Sequence, residues 1–287
     1  GSDRRYRQHP LFASWAHEKL SSDSEKWLNM AKYYVQFAKQ CQNKIPTLML
    51  DWQNIMVGME IAYLHQDWHL VLAYKDVLMS IWIEQGQHES ALDGYKWAAK
   101  AVQQLEDTHD LGSIYLQWSI SHIELSDYVA GAGKLQSALN IAESLGIVNL
   151  KGKIYYQMAR IYIEQDKYQD AHSSLQNAWR YFQEAEDALG MANALYKMGD
   201  LEYFQGNYRK AFEFGRDALK HYNRVENRLG QMETLLLLAT TAQELKNLPQ
   251  AREYIRLAEE ILSKLDDKAK EAGFYYSSAN LLRLQHR

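Results

Sequence analysis

Glu164-Gln165-Asp166-Lys167-Tyr168-Gln169-Asp170-Ala171 decides how this chain folds, because its pattern occurs four more times at a fixed step of 40 residues. The counterparts are Glu84-QGQHES-Ala91, Glu124-LSDYVA-Gly131, Phe204-QGNYRK-Ala211 and Glu244-LKNLPQ-Ala251. Each reads as the corner between two antiparallel helices. Asp127, Asp166 and Asn207 suit a tight turn or the cap of the next helix, and Gly86, Gly206 and Asn247 are expected to take the left-handed backbone that ends a helix. A fixed period in the 20–50 residue range means stacked units that bury their apolar faces only against neighbours.

Outward from the corners, small residues keep the same step. Ala98, Ala138, Ala178, Ala218 and Ala258 form one series, and Ala91, Gly131, Ala171, Ala211 and Ala251 form another seven residues earlier. A third series, Ser119, Ala159, Gly199 and Ala239, lies 12 positions before the residues that open the second helix of each pair. Side chains this small predict close approach of two backbones. Within one unit, Ile154, Tyr155, Met158, Ala159 and Tyr162 share a stripe of the first helix, while Ala171, Leu175, Ala178 and Phe182 share a stripe of the second.

Composition agrees with an all-α chain. Its 287 residues include only three prolines, and 47% are hydrophobic, so continuous helical packing has few breakers and ample apolar surface. The net charge of -4 is mixed along the chain, with no basic run to follow a phosphate backbone, which argues against nucleic acid as a direct partner. The single cysteine, Cys41, excludes an intramolecular disulfide and favours a reducing compartment. No 18-residue apolar stretch or signal-like start is present. A cytoplasmic protein is expected, and Gly1-Ser2 reads as a cloning scar in front of a piece of a longer chain.

Small residues at unit positions eight, twenty and twenty-seven, with an aromatic at seventeen (Tyr128, Tyr168, Tyr208), resemble the tetratricopeptide repeat from about residue 72 to 265. His88 and Leu248 depart from the aromatic, and the 40-residue step exceeds that family's usual period of about 34 residues. The polar stretches around Glu106–Asp110, Glu184–Asp187 and Asn223–Asn227 place the excess in the second helix and the loop after it. The resemblance implies a right-handed superhelix, an α-solenoid of helix pairs. Its concave wall would take first-helix positions that point away from the second helix: Gln117; Lys153, Tyr156 and Arg160; Asn193, Tyr196, Lys197, Asp200 and Tyr203; Glu233 and Gln243; Tyr276 and Asn280. Tyrosines supply amphipathic contact area, and the cations, Asp200 and the asparagine amides supply oriented polar contacts.

The opening, Arg5-YRQHPLFASWAHEKL-Leu20 followed by Ala31-KYYVQFAKQ-Cys41, resembles the end of a winged-helix domain joined to such an array. That junction is typical of bacterial signal-transduction ATPases with numerous domains, the STAND class with an NB-ARC-type module. Asp51, Asn54, Gln66 and Asp67 hold the places of that class's array-opening segment. The resemblance implies a winged-helix tail at residues 1–21, linker helices at 22–70, and at 71–287 five helix pairs plus a covering helix at Ala272–Gln285. It also implies that His9 is the remnant of a nucleotide contact.

The chain has no Gly-Lys-Ser/Thr phosphate loop, so ATP and magnesium are expected upstream and no cofactor is expected here. His65 and His69 have the spacing of a metal pair, but a turn at Gln66-Asp67 should separate them, so no metal is expected. No catalytic constellation is visible, and an enzyme is not expected. The expected partners are a protein or peptide effector in the groove and, within the parent chain, the nucleotide module; no membrane contact is expected, and the isolated piece is expected to be a monomer. Two alternatives remain open: a pheromone-type peptide receptor and a stand-alone adaptor. The chaperone-tail form of the adaptor fails at Asp76 and Ser80, where its clamp needs Lys and Asn to capture a carboxylate.

Overall fold

Where the repeat predicts corners, the backbone turns left-handed at intervals of 20 residues. Positive φ occurs at Gln66, Gly86, Glu106, Ser126, Gly146, Asp166, Glu186, Gly206, Glu226 and Lys246. Both corners of a pair are therefore built alike.

The computed structural model describes residues 24–106 and 108–264. Its helices are α1 Ser24–Cys41, α2 Ile45–Leu50, α3 Trp52–Leu64, α4 Trp68–Glu84, α5 His88–Gln104, α6 Leu111–Glu124 and α7 Tyr128–Ser144. They continue as α8 Val148–Glu164, α9 Tyr168–Glu184, α10 Ala188–Phe204, α11 Tyr208–Arg224, α12 Arg228–Glu244 and α13 Leu248–Leu262. His9, Tyr276, Asn280, the winged-helix-like tail and the covering helix lie outside the described residues.

Helices α8 to α12 are each 17 residues long and are joined by three-residue turns. This corrects the expectation that the second helix and its following loop absorb the excess over the family's usual period. First and second helices are equally long, because each corner spends one residue in the left-handed region and the next helix starts at once. Asn247 also departs from expectation: its φ is −95°, and its side chain accepts from Gln250 N at the start of α13, while Lys246 takes the positive φ. The amide oxygen competes better as a helix cap than as a left-handed terminator. Gly86 and Gly206 behave as expected, with φ of 63° and 76°.

The chain divides into two compact units, one through Lys134 and one from Leu135. In the first, the buried Tyr74 hydroxyl donates to Ala31 O at 2.6 Å and fills the space a side chain on Gly58 would need, locking α1, α3 and α4 together. Trp82 and Tyr95 meet edge to face at 4.9 Å, and Gly94 leaves room for the indole. Lys75 is buried between Asp76 at 2.7 Å and Asp110 at 3.0 Å. Burial alone would lower its pKa, but hydrogen bonds to the two carboxylates win and raise it. His65 follows α3 and His69 lies in α4, with the Gln66 turn between them.

The second unit shows why the small series exist. Ala159, Ala171, Ala178, Ala211, Ala218, Ala239 and Ala258 are fully buried. A methyl group on Gly199 would lie 3.2 Å from Ala211 O and 3.4 Å from Gly215 N, so α10 and α11 approach backbone to backbone. The core runs along the pairs in successive clusters: Ala159, Ala171, Leu175, Ala178, Phe182, Ala194, Met198 and Leu201 form one, and Met232, Leu235, Ala239, Ile255, Ala258 and Leu262 form another.

Candidate recognition surface

Second-helix rings reach across to the first helices in a way that depends on glycine. The Phe182 ring occupies the space that side chains on Gly152 and Gly190 would need, and the Tyr222 ring occupies that of Gly230. Phe182 precedes Gly190, and Tyr222 precedes Gly230, by eight residues. Asp187 and Asn227 cap the helices carrying these glycines by accepting from Gly190 N at 2.8 Å and from Gly230 N at 2.7 Å. Cap and ring together hold the starts of α10 and α12 in register.

On this frame α8, α10 and α12 bring most of the expected residues together. Tyr156 and Tyr196 are half-buried and pack against the apolar clusters around them. Burial raises the Tyr156 pKa, opposed by the charges of Lys197 and Arg160 and reinforced by Glu233 and Asp200. Burial raises Tyr196 strongly, with Asp200, Glu233 and Tyr156 adding to it. Lys197 pairs with Asp200 at 2.9 Å, both half-buried, and its Nζ lies 5.9 Å from the Tyr196 ring centre. Arg160 donates to Gln157 Oε1 at 2.9 Å. The result is a patch of un-ionised phenols among oriented charges of both signs.

Tyr222 was not anticipated in this patch. It lies on α11, a second helix, yet its hydroxyl donates to Asn193 Oδ1 at 2.7 Å and its pKa is raised by burial, then by Tyr156, Glu233 and Tyr196. The available signal was the 40-residue series Val102, Ala142, Phe182, Tyr222 and Leu262, in which only Tyr222 bears a polar tip.

Other expected residues fall elsewhere. Lys153 is exposed on α8. Gln117 belongs to the first unit, half-buried on α6, with its Oε1 buried and unpaired. Tyr203 keeps company with Phe204 at 6.0 Å and Tyr208 at 5.6 Å, at the α10–α11 corner. Burial raises its pKa, helped by Glu244 and Tyr208. Among the described residues no helix is long and apolar enough to cross a membrane.

Residues 150–224 and 190–264 each match the tetratricopeptide repeat family model. No curated protein shows significant sequence similarity to the chain. Among solved structures, the apo form of RapI superposes with a TM-score of 0.62 at 14% identity, over 92% of this chain and 84% of that one. Aspartyl phosphate phosphatase F from Bacillus subtilis gives 0.66 at 16% identity, over 82% of this chain but only 59% of its own length. A Signal Transduction ATPase with Numerous Domains protein with a tetratricopeptide repeat sensor, from Pyrococcus horikoshii, gives 0.58 at 19% identity, over 92% of this chain and 39% of that one. At these identities the likeness speaks for fold. Tetratricopeptide arrays are typically non-catalytic frameworks for protein binding. The chain contains tetratricopeptide repeats, and its fold class is the all-α, α-solenoid kind built from helix pairs.

Proposed function

We propose that the α8–α10–α12 face captures a protein or peptide effector, and that the chain is the sensing part of a cytoplasmic STAND-class ATPase. The observation that carries this reading is the coupled set of Tyr156, Arg160, Asn193, Tyr196, Lys197 and Asp200, contributed by successive first helices. Half-buried tyrosines lose little conformational freedom on binding, and their hydroxyls stay protonated to donate to peptide carbonyls. Charges already paired, as in Lys197–Asp200, need little rearrangement when a partner adds to them.

Nucleotide chemistry belongs upstream on this reading, since the sequence here holds no phosphate-binding loop. Effector capture would shift the parent protein from a closed to an open state. Inverting a 1:99 balance requires a differential affinity of roughly 5.5 kcal/mol, within reach of a surface spanning several helices. A second reading, a receptor for a short peptide with a different upstream module, uses the same face; the high mutual coverage with RapI supports it.

Panning a displayed peptide library on the wild-type protein, with counter-selection on Arg160→Glu/Tyr196→Ala, tests the face. Peptides retained by the wild type alone are expected; a library that never distinguishes the two proteins removes the proposed surface. The open reading frame around this sequence separates the two readings. A Walker-type module supports the sensor, and a DNA-reading domain supports the receptor.

A further inference from the structure

At the last residue of the first helix four of the five corners carry glutamate, Glu84, Glu124, Glu164 and Glu244, but the fourth corner carries Phe204. The ring is 73% exposed, more than any other large hydrophobic side chain among the described residues except Val129. The charge inverts at the same corner. Where the first and third corners have Glu89 and Asp170 in the opening turn of the second helix, α11 has no acidic residue in its first turn and carries Arg209 and Lys210 there, both exposed. Cations at a helix N-terminus oppose the helix dipole, so this placement sacrifices some stability.

Phe204 does not stand alone. It packs edge to face on Tyr203, which in turn meets Tyr208. Beside them an open depression of about 310 Å³ is lined by Gly206, Asn207, Tyr208, Arg209, Lys210 and the partly exposed Leu245. Gly206 leaves one wall bare, because nothing lies within 4 Å of where its side chain would be. Two carboxylates act on this group: the charge of exposed Glu244 reaches Tyr203, while Glu202, buried beneath the corner, accepts from the Asn207 amide at 2.8 Å.

We propose that this corner is a second docking surface, which takes an acidic segment of a partner protein through an apolar anchor residue. The aromatic group and Leu245 receive the anchor, while Arg209, Lys210 and the free amides opening α11 receive the carboxylates. Charge complementarity selects this occupant: a basic segment would meet two cations and a positive helix end. The surface is separate from the α8–α10–α12 face, and either can be lost without the other.

A fluorescein-labelled synthetic peptide of alternating aspartate and phenylalanine is the probe, with a lysine–phenylalanine peptide as its charge-reversed control. Fluorescence anisotropy should show the acidic peptide binding the wild-type protein and the basic one not. Phe204→Glu, which restores the repeat's own residue, and Arg209→Glu/Lys210→Glu should each weaken binding by at least about tenfold, with unchanged circular dichroism, and with a melting temperature that stays level in the first and rises slightly in the second as the helix dipole gains acidic partners. Arg160→Glu/Tyr196→Ala should bind the acidic peptide like wild type. Absence of binding to the wild type, or equal binding by the corner variants, overturns the proposal. So does loss only in Arg160→Glu/Tyr196→Ala, which would assign the peptide to the other face. Sedimentation velocity supplies one more outcome: a dimer abolished by Phe204→Glu would mean that a second copy of this chain covers the corner instead.

Discussion

The Tyr222 hydroxyl donates to Asn193 Oδ1 across 2.7 Å, joining the far end of a second helix to the exposed face of the first helix before it. This bond holds the amide of Asn193 in one orientation beside Tyr196 and Lys197. A second-helix residue thereby orients a side chain of the proposed face.

Tyr222→Phe keeps the ring against Gly230 and removes only the hydroxyl. Loss of about 0.5–1.5 kcal/mol in urea unfolding is expected, since Asn193 is half-buried and water can replace part of the bond. Any effector or peptide retained by the face should bind more weakly as well. A stability equal to wild type would mean the bond contributes nothing net.

Alkaline titration reads the buried phenols. Tyr74, Tyr95, Tyr196 and Tyr222 have pKa values raised well above the ordinary 10.0 by burial. A raised folded-state pKa stabilises the fold fully below the unfolded value, and that contribution is lost as pH climbs beyond it. Melting temperature should therefore fall steadily above about pH 10, and tyrosinate absorbance should show a late fraction that ionises only on unfolding. Complete ionisation of all tyrosines before the unfolding transition would contradict the burial.

Ala178→Leu adds volume where α8 and α9 already touch through Ala159, Ala171 and Ala178. Overpacking should cost about 1–3 kcal/mol, compared by thermal melts with a substitution at exposed Gln169. Equal midpoints would speak against the close crossing.

Glu226 is exposed and holds φ at 53°, a region where a side chain clashes with its own backbone. Glu226→Gly should stabilise by about 0.5–1 kcal/mol, the relief of that clash exceeding glycine's extra chain entropy. Gly206→Ala, at φ 76° with empty space around it, should destabilise by a comparable amount for the opposite reason. Calorimetry on the pair would show whether backbone conformation, rather than packing, governs these corners.

Periodicity made the helix pairs, their crossing points and the corner positions legible. A spacing that repeats every 40 residues leaves each helix the same length to fill, and alanine or glycine at a crossing admits only close backbones. The polar stretches after the second helices misled because Glu186 and Glu226 occupy single left-handed positions rather than long loops. Tyr156, Tyr196, Lys197 and Asp200 were readable as one face because first helices present equivalent positions in the same direction.

Sequence alone thus determined the helical repeat and which first-helix residues share a face, both of which follow from local spacing. Only the tertiary structure decided that Tyr203 turns to Phe204 and Tyr208, that Lys246 rather than Asn247 ends α12, and that Tyr222 reaches Asn193. Those outcomes depend on the room a neighbouring helix leaves, such as the gap above Gly230, and on which nearby backbone amide an asparagine can cap. The first is set when helices well separated in sequence pack together, the second by the backbone path through the corner itself.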